Sequence, residues 1–222
     1  MIDLDGYLES LIAECRSVFG DRLLYVGLQG SYLRGEADED SDIDVMAIID
    51  RLSVEDLRAY KGILEKIGHA DKSCGFICGK DEMMRWSPLD VCHLRHSTKD
   101  LHGALADHLP AASRGDAIEH VRSSLGALYH ELCHLYVHPG RDEGASRSRG
   151  VCKGLTFLIQ EMHLLESGTF AATRSELGER VSEEDRAMLM MAGQPEGLGS
   201  GEAFSSVFRW CQDAFRRIER MG

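Results

Sequence analysis

Two carboxylates, Asp42 and Asp44, lie two residues apart just before the apolar run of residues 45–49. A short run of β-branched and large apolar residues predicts a strand, and residues two apart on a strand point to the same face. Carboxylates held side by side repel each other, and a divalent cation such as Mg²⁺ relieves that repulsion. The spacing therefore predicts a metal site. The alternative is a solvated acidic turn, because further acids precede the pair: Asp38, Glu39 and Asp40.

A glycine and a serine, Gly30 and Ser31, follow another apolar run at residues 23–28. Glycine adopts backbone angles that are closed to other residues, and its missing side chain lets a ligand approach the backbone. A turn leading into a short helix at residues 31–35 would direct amide donors outward, which suits a phosphate group. Arg34 adds a cation of the kind that pairs with phosphate oxygens. Together with the paired carboxylates, this turn predicts a site for a phosphate and a metal.

One combination of residues matches a known signature: Gly30-Ser31, then Arg34-Gly35, then Ser41-Asp42-Ile43-Asp44-Val45. It resembles the DNA polymerase β-like nucleotidyltransferase superfamily, and within it the minimal and the aminoglycoside nucleotidyltransferases. The resemblance implies a Mg²⁺-dependent transfer of a nucleoside monophosphate, with ATP as the first expected donor, and release of pyrophosphate. By position it implies that Gly30 and Ser31 hold the triphosphate and that Asp42 and Asp44 hold the metal ions.

The general base is the element of this resemblance that the sequence leaves open. In the family, the third strand commonly carries a third carboxylate, but the predicted third strand, residues 74–78, contains no Asp or Glu. Some aminoglycoside nucleotidyltransferases use a carboxylate from their helical half, so Glu131 is our candidate base, with Asp90 and Asp71 as alternatives. Lys153 heads a central helix of that half and, by analogy with several relatives, would reach the triphosphate.

The elements that must position these residues fall into two parts. Residues 1–109 are predicted to form a small nucleotidyltransferase domain with helices and a mixed sheet, and residues 116–222 a C-terminal helical bundle, which makes an α+β protein. The predicted helices, a linker and a polar loop have these bounds: helices 3–19, 53–67, 116–137, 151–165, 173–180, 182–191 and 202–220, a linker at 109–115 and a loop at 141–150.

The composition narrows the class of acceptor. The 222 residues carry a formal net charge of −12, and no cluster of Lys and Arg makes the basic face that a nucleic-acid binder needs. No apolar run is long enough to span a bilayer, the N-terminus does not resemble a signal peptide, and the cysteine content fits reduced thiols in a cytoplasm. An acidic protein is better suited to a cationic acceptor, or to a small-molecule or protein acceptor, than to a nucleic acid.

A rival motif occurs on the predicted helix 116–137. His130, Glu131 and His134 match H-E-x-x-H, which can bind zinc with the glutamate as general base, and His138 follows one turn later. A zinc peptidase also needs a third ligand, and the sequence offers no clear candidate. We therefore favour histidines that pack or face solvent on a bundle helix.

The sequence thus predicts an adenylyltransferase-like enzyme that modifies a hydroxyl group of a small molecule such as an aminoglycoside. Two alternatives remain: a protein adenylyltransferase of the antitoxin type, and a nucleotide- or partner-binding module that has lost catalysis because the third-strand acid is missing. Whether the chain forms a homodimer is left open.

Overall fold

A computed structural model describes residues 2–87, 91–138, 144–194, 198 and 201–222 of the chain. The chain divides into two units, Met1–Ala111 and Ala112–Gly222, which we describe separately. The assignment of distinct functions to residues 1–109 and 116–222 stays a prediction.

The first unit contains a mixed sheet of four strands in the order β3-β2-β1-β4, with helices between the strands. Strand β1 pairs antiparallel with β2 and β4, whereas β2 and β3 are parallel. The elements follow the chain as α1 (Leu4–Phe19), β1 (Leu23–Leu28), α2 (Gly30–Arg34), β2 (Ile43–Ile49), α3 (Val54–Ile67), β3 (Ser73–Gly79), α4 (Lys80–Met84) and β4 (Lys99–His102). The predicted fold class is confirmed.

Strand β2 separates two apolar clusters because its side chains alternate between the two faces of the sheet. Ile43, Val45, Ala47 and Ile49 lie in one cluster, which includes buried residues of α1 and α3. Met46 and Ile48 lie in the other cluster, together with Tyr25, Cys78, Met83, Val91, Leu105 and Leu109. Both faces of β2 are therefore buried along most of its length, which explains its unbroken apolar run.

The second unit is helical, with one extensive apolar core. Its helices are α5 (Arg114–Val137), α6 (Gly144–Ser167), α7 (Arg174–Arg180), α8 (Glu183–Met191) and α9 (Gly201–Glu219). Ser113 and Asp116 form a capping box at the start of α5, so the helix begins inside the predicted linker. Within the described residues, no helix is both long and apolar enough to cross a membrane.

The predicted polar loop at residues 141–150 is wrong for its larger part, because α6 already begins at Gly144. Extending an existing helix costs far less than starting one, so a weakly helical stretch can continue the helix whose buried face contains Val151 and Leu155. Two further features of the sequence lie wholly or mostly outside the described residues: Pro139-Gly140, a pair that is expected to stop a helix, and residues 194–201, a glycine-rich stretch that is expected to form a turn.

Candidate functional site

Asp42 and Asp44 lie at the beginning of β2, on the face that Met46 continues into the core. Asp42 immediately precedes the strand and is exposed, whereas Asp44 is its second residue and is half-buried. Met46 is the first buried apolar side chain on this face, and Asp44 and Asp42 lie successively closer to solvent. The local order of the sequence, two acids followed by an apolar strand, is enough to place them there.

Gly30 lies against Asp44. A Cβ atom at position 30 would be 2.0 Å from Asp44 Oδ2, and the φ angle of Gly30 is +72°. The main-chain N–H of the preceding residue, Gln29, donates a hydrogen bond of 2.8 Å to the Asp44 carbonyl oxygen. Glycine is thus required at position 30 both by its backbone conformation and by the space that the carboxylate occupies.

The short helix α2 begins at this glycine, close to the helix predicted for residues 31–35. Its N-cap residue Gln29 makes no capping hydrogen bond with its side chain, unlike the capping serines of α3 and α5 among the described helices. Gly35, with φ +69°, ends the helix in the left-handed conformation. The first amides of α2, including that of Ser31, are therefore not capped by Gln29.

Arg34 is on the last turn of α2, where its Nε donates to Glu36 Oε2 at 2.7 Å. Its side chain is about a quarter exposed. The predicted role of Arg34 toward phosphate therefore involves a guanidinium that is paired with a carboxylate, and it stays a prediction.

The link between α2 and β2 is strongly acidic and is held by its own hydrogen bonds. Asp38 Oδ1 accepts from Ser41 Oγ at 2.8 Å and from the Asp40 main-chain N–H at 3.1 Å, and the hydrogen bond from Ser41 chiefly lowers the pKa of Asp38. Lys72 Nζ donates to the Glu39 carbonyl oxygen at 2.9 Å. Residues 36–44 contain six acids and no basic residue: Glu36, Asp38, Glu39, Asp40, Asp42 and Asp44.

Cys74 of β3 is the residue paired with Asp44 across the parallel strands. It is exposed, and its pKa is raised, first by burial of the thiol and then by the charge of Asp44, against the lowering effect of the Gly75 main-chain N–H. Gly75 has φ +109°, and a Cβ there would be 2.1 Å from the Val45 carbonyl oxygen. A thiol thus occupies the position beside Asp44 on the strand where the resemblance leads us to expect a carboxylate.

The other predicted site residues are dispersed along the chain. Asp71 is exposed just before β3, and Asp90 lies outside the described residues. Glu131 is half-buried on α5, while Lys153 is exposed on α6 with its Nζ 5.9 Å from the centre of the Phe157 ring. The roles of Glu131 as base and of Lys153 toward the triphosphate stay predictions.

One side chain at this site, Gln29, has no recognisable signal in the sequence. Its Nε2 donates to Thr98 Oγ1 at 2.8 Å, and it lies 3.9 Å from Met46 Sδ. The composition of residues 97–103 is compatible with a short fourth strand and a turn at Gly103. The pairing of that strand with β1 depends on the order of the whole sheet, which no local pattern reveals.

The donor set at the start of β2 fits Mg²⁺ better than zinc. Two carboxylate side chains leave the remaining ligands to water and phosphate, which is how proteins commonly bind Mg²⁺, and the missing side chain at Gly30 leaves room for the Asp44 carboxylate. On the rival helix, the rings of His130 and His134 are 6.3 Å apart and those of His134 and His138 are 4.7 Å apart. Across the described residues, no group of three or more His, Cys, Asp or Glu side chains is placed to hold a metal ion.

Comparisons with known proteins give matches to parts of this chain. Residues 8–74 match the family model described as a nucleotidyltransferase domain. The Methanocaldococcus jannaschii protein MJ1305, provisionally named a protein adenylyltransferase, is 36% identical over 58 residues, which are 26% of this chain and 40% of that protein. The bifunctional protein GlmU of Parvibaculum lavamentivorans is 33% identical over 94 residues, which are 42% of this chain and 20% of that protein. The matches thus cover less than half the length of either relative.

A solved structure shares the fold along nearly the whole chain. It is the crystal structure of spectinomycin adenyltransferase AAD(9) from Enterococcus faecialis with ATP and spectinomycin, with a TM-score of 0.60 and 14% sequence identity. The similarity covers 98% of this chain and 100% of that one. At this identity the likeness establishes the fold, a sheet domain followed by helices.

Proposed function

We propose, on the premise that residues 8–74 form a nucleotidyltransferase domain, that the chain transfers AMP from ATP to a hydroxyl group of a small-molecule acceptor, such as an aminoglycoside, in a Mg²⁺-dependent reaction. The observation that carries the proposal is the contact between Gly30 and Asp44, where a Cβ would be 2.0 Å from the carboxylate. That contact joins a turn suited to phosphate with a carboxylate suited to a metal, which is the arrangement that nucleotidyl transfer needs.

The residues of the first unit divide this work between them. Asp42 and Asp44 would hold Mg²⁺, which when bound neutralises charge on the triphosphate and polarises the α-phosphate. Gly30 and Ser31 would direct main-chain N–H groups at phosphate oxygens, because Gln29 does not cap the helix that starts there. Arg34 would add a cation if its bond to Glu36 opened to include phosphate.

The transfer itself forms one bond and breaks another. The acceptor hydroxyl oxygen attacks the α-phosphorus, the bond from that phosphorus to the pyrophosphate oxygen breaks, and pyrophosphate leaves. The proton of the hydroxyl passes to a carboxylate, for which Glu131 is our candidate. Lys153 would pair with the triphosphate from the helical unit.

A cationic acceptor is supported by the charge beside the proposed site. Six acids within residues 36–44 give the link before β2 a strong negative potential, which attracts a cationic acceptor such as a polyamine. The AAD(9) structure, which contains ATP and spectinomycin, has this fold and supports the same class of acceptor. The formal net charge of −12 argues against a nucleic-acid primer. Location in the cytoplasm, where ATP is available and thiols stay reduced, is part of the proposal.

A protein hydroxyl is the second candidate acceptor. It is supported by the 36% identity to MJ1305, which carries the name of a protein adenylyltransferase. Small cationic molecules and protein partners are distinguished by the product, because only the protein acceptor becomes labelled with AMP in a form that precipitates with acid. A module without catalysis, suggested by the thiol in place of an acid on β3, would bind ATP and release no pyrophosphate.

The first experiment is calorimetric titration of ATP into the protein with and without Mg²⁺. We expect Mg²⁺-dependent binding by the wild type and its loss in Asp44→Asn. The matched control is Asp40→Asn, which removes the same charge from the same acidic link at an exposed position and should bind like the wild type. Wild-type protein that binds no nucleoside triphosphate, alone or with acceptors present, would refute the proposal.

A screen of acceptors read by pyrophosphate release follows if ATP binds. Release with aminoglycosides or related polyamines supports the first candidate, and release only with a protein acceptor supports the second. ATP binding with no release across both panels would favour the inactive module.

A further inference from the structure

The side chain of Gln29 connects the proposed nucleotide site to Thr98, the residue just before the edge strand β4. Gln29 is the last residue before α2, at a position where a short polar side chain usually caps the helix. Its amide instead donates to Thr98 Oγ1 at 2.8 Å and lies 3.9 Å from Met46 Sδ. Met46 is the residue that follows Asp44 on the same face of β2, so Gln29 lies where the core ends and the proposed site begins.

Gly27 makes this contact possible. A Cβ at position 27 would be 2.7 Å from Thr98 Cγ2 and 2.1 Å from Tyr25 Oη. Tyr25 and Gly27 of β1 and Gln29 just after it lie on one face, so the missing side chain at Gly27 leaves room for Thr98 between Tyr25 and Gln29. A second side-chain bond joins the same two segments within the strands themselves, from Tyr25 Oη to Asp100 Oδ1 at 2.7 Å.

The main chain of Gln29 bonds to β2, which lies on the other side of β1 from β4. Its N–H donates to the Asp44 carbonyl oxygen at 2.8 Å, next to the contact of Gly30 with the Asp44 carboxylate. Gln29 therefore links Thr98, the residue before β4, through its side chain, and β2, through its backbone, at the point where the turn begins.

We propose that Gln29 is a positioning residue that locks the Gly30-Ser31 turn against Asp44 through its bonds to Thr98 and to the Asp44 backbone. This inference rests on the proposed function, because it assigns the lock to nucleotide binding. Without the anchor at Thr98, the turn would still form, since its glycine keeps the required backbone angles. The distance between the turn's N–H groups and the Asp44 carboxylate would then vary, and Mg²⁺-ATP binding needs both at once.

The test removes the bond from either end and compares it with an equivalent bond elsewhere. Gln29→Leu and Thr98→Val remove it with little change of shape, and Thr98→Ser retains the hydroxyl. Tyr25→Phe is the matched control, because it deletes a hydrogen bond between the same segments on the same face. The readouts are Mg²⁺-ATP affinity, thermal unfolding, and amide hydrogen exchange at residue 29 in nucleotide-free protein by NMR.

We expect Gln29→Leu and Thr98→Val each to weaken Mg²⁺-ATP binding by about three- to tenfold, the usual effect of one hydrogen bond. The double variant should bind no more weakly than the weaker single variant, because both remove the same bond. Thr98→Ser and Tyr25→Phe should bind like the wild type. Exchange at residue 29 should become faster in Thr98→Val but not in Tyr25→Phe.

Two results would overturn the inference. One is a loss of affinity in Tyr25→Phe equal to that in Thr98→Val, which would indicate general loosening of the sheet. The other is unchanged affinity in Thr98→Val despite faster exchange at residue 29. If wild-type protein binds no Mg²⁺-ATP, the proposed function fails first, and the exchange data still decide whether the bond to Thr98 holds the turn. A variant that fails to fold is replaced by the variant at the other end of the bond.

Discussion

Asp44 and Cys74 are paired residues of the parallel strands β2 and β3, and their side chains share one face of the sheet. Among the described residues, Cys74 is the exposed cysteine, whereas the other cysteines are buried or half-buried. A reagent that reaches Cys74 must therefore approach the carboxylate that we propose as a metal ligand.

Maleimide labelling of Cys74 tests that proximity. We expect Mg²⁺-ATP to slow the labelling, because bound nucleotide would cover the open end of this face. ATP with excess chelator should give no protection, and neither should Mg²⁺-ATP in Asp44→Asn. The measurement is peptide mass spectrometry over time, and equal labelling rates with and without Mg²⁺-ATP would contradict the proposed position of the nucleotide.

Substitution of glycine at the two ends of α2 should have unequal effects. Gly30→Ala and Gly35→Ala both force a side chain into the left-handed region, at a cost of roughly 1–2 kcal/mol each. Only at position 30 would the new methyl group strike Asp44, since nothing lies within 4 Å of a Cβ at position 35. We expect about a tenfold or greater loss of Mg²⁺-ATP affinity in Gly30→Ala alone. Calorimetry measures it, and equal affinities in both variants would contradict the steric argument.

Glu131 should act on the rate and leave ATP affinity unchanged. If Glu131 is the general base, Glu131→Gln lowers the rate of pyrophosphate release by about a hundredfold or more, with the calorimetric Kd for Mg²⁺-ATP unaltered. Glu119→Gln is the control, because Glu119 is an exposed acid on the same helix. A normal rate in Glu131→Gln would eliminate this candidate and turn attention to Asp71 and Asp90.

Asp185 should control the acid stability of the helical unit. It is 3% exposed, and it accepts from Trp210 Nε1 at 2.7 Å and from Arg217 Nη1 at 2.8 Å. Burial raises the pKa of Asp185, but the bonds and charge of Arg217 and the bond from Trp210 outweigh burial and lower it. Asp185→Asn removes one of the two charged partners of the half-buried Arg217, which keeps its ion pair with Glu166. We therefore expect a loss of about 2 kcal/mol in unfolding free energy near pH 7, the usual contribution of hydrogen bonds to a charged group.

The pH dependence of this loss follows from the sign of the shift. A carboxyl whose pKa is lower in the folded state stabilises the protein fully above its unfolded pKa, about 3.9, and loses that contribution as pH falls through the folded value. The difference between wild type and Asp185→Asn should therefore shrink below about pH 4. Thermal unfolding over this pH range measures it, with Glu184→Gln as an exposed control, and a difference independent of pH would contradict the assignment.

Zinc should be absent from the purified protein at stoichiometric levels. His130 and His134 have the spacing of a zinc-binding helix, but no described side chain completes a group of three ligands with them. Elemental analysis after dialysis measures the metal content. One tightly held zinc per chain, lost in His134→Ala, would revive the peptidase hypothesis.

The local part of the fold and the site could be predicted because it depends on residues close in sequence. The capping box of Ser53 and Asp56, the strand after Asp44 and the turn at Gly30 each carry their signal within a few positions. The bond from Gln29 to Thr98 joins residues 69 positions apart and exists only once β4 has paired with β1. No periodicity within either segment contains that information.

Helix α6 shows the opposite kind of failure. Its first residues contain glycine, serine and arginine, a composition typical of a loop, yet Gly144 to Gly150 are helical. The preference of these residues for a loop is outweighed because they extend a helix that the core of the second unit stabilises.

Helix α2 is bounded by glycines in the left-handed conformation at both ends, Gly30 with φ +72° and Gly35 with φ +69°. This five-residue helix therefore has at each end a glycine, the residue with the widest choice of backbone angles. A change in the backbone angles of Gly30 or Gly35 would reorient all the N–H groups of α2 together. A substitution of a surface residue within α2 would alter only one side chain. Among relatives of this chain, substitutions that contact Gly30 or Gly35 should therefore rotate the whole segment and so alter the proposed contact with the triphosphate.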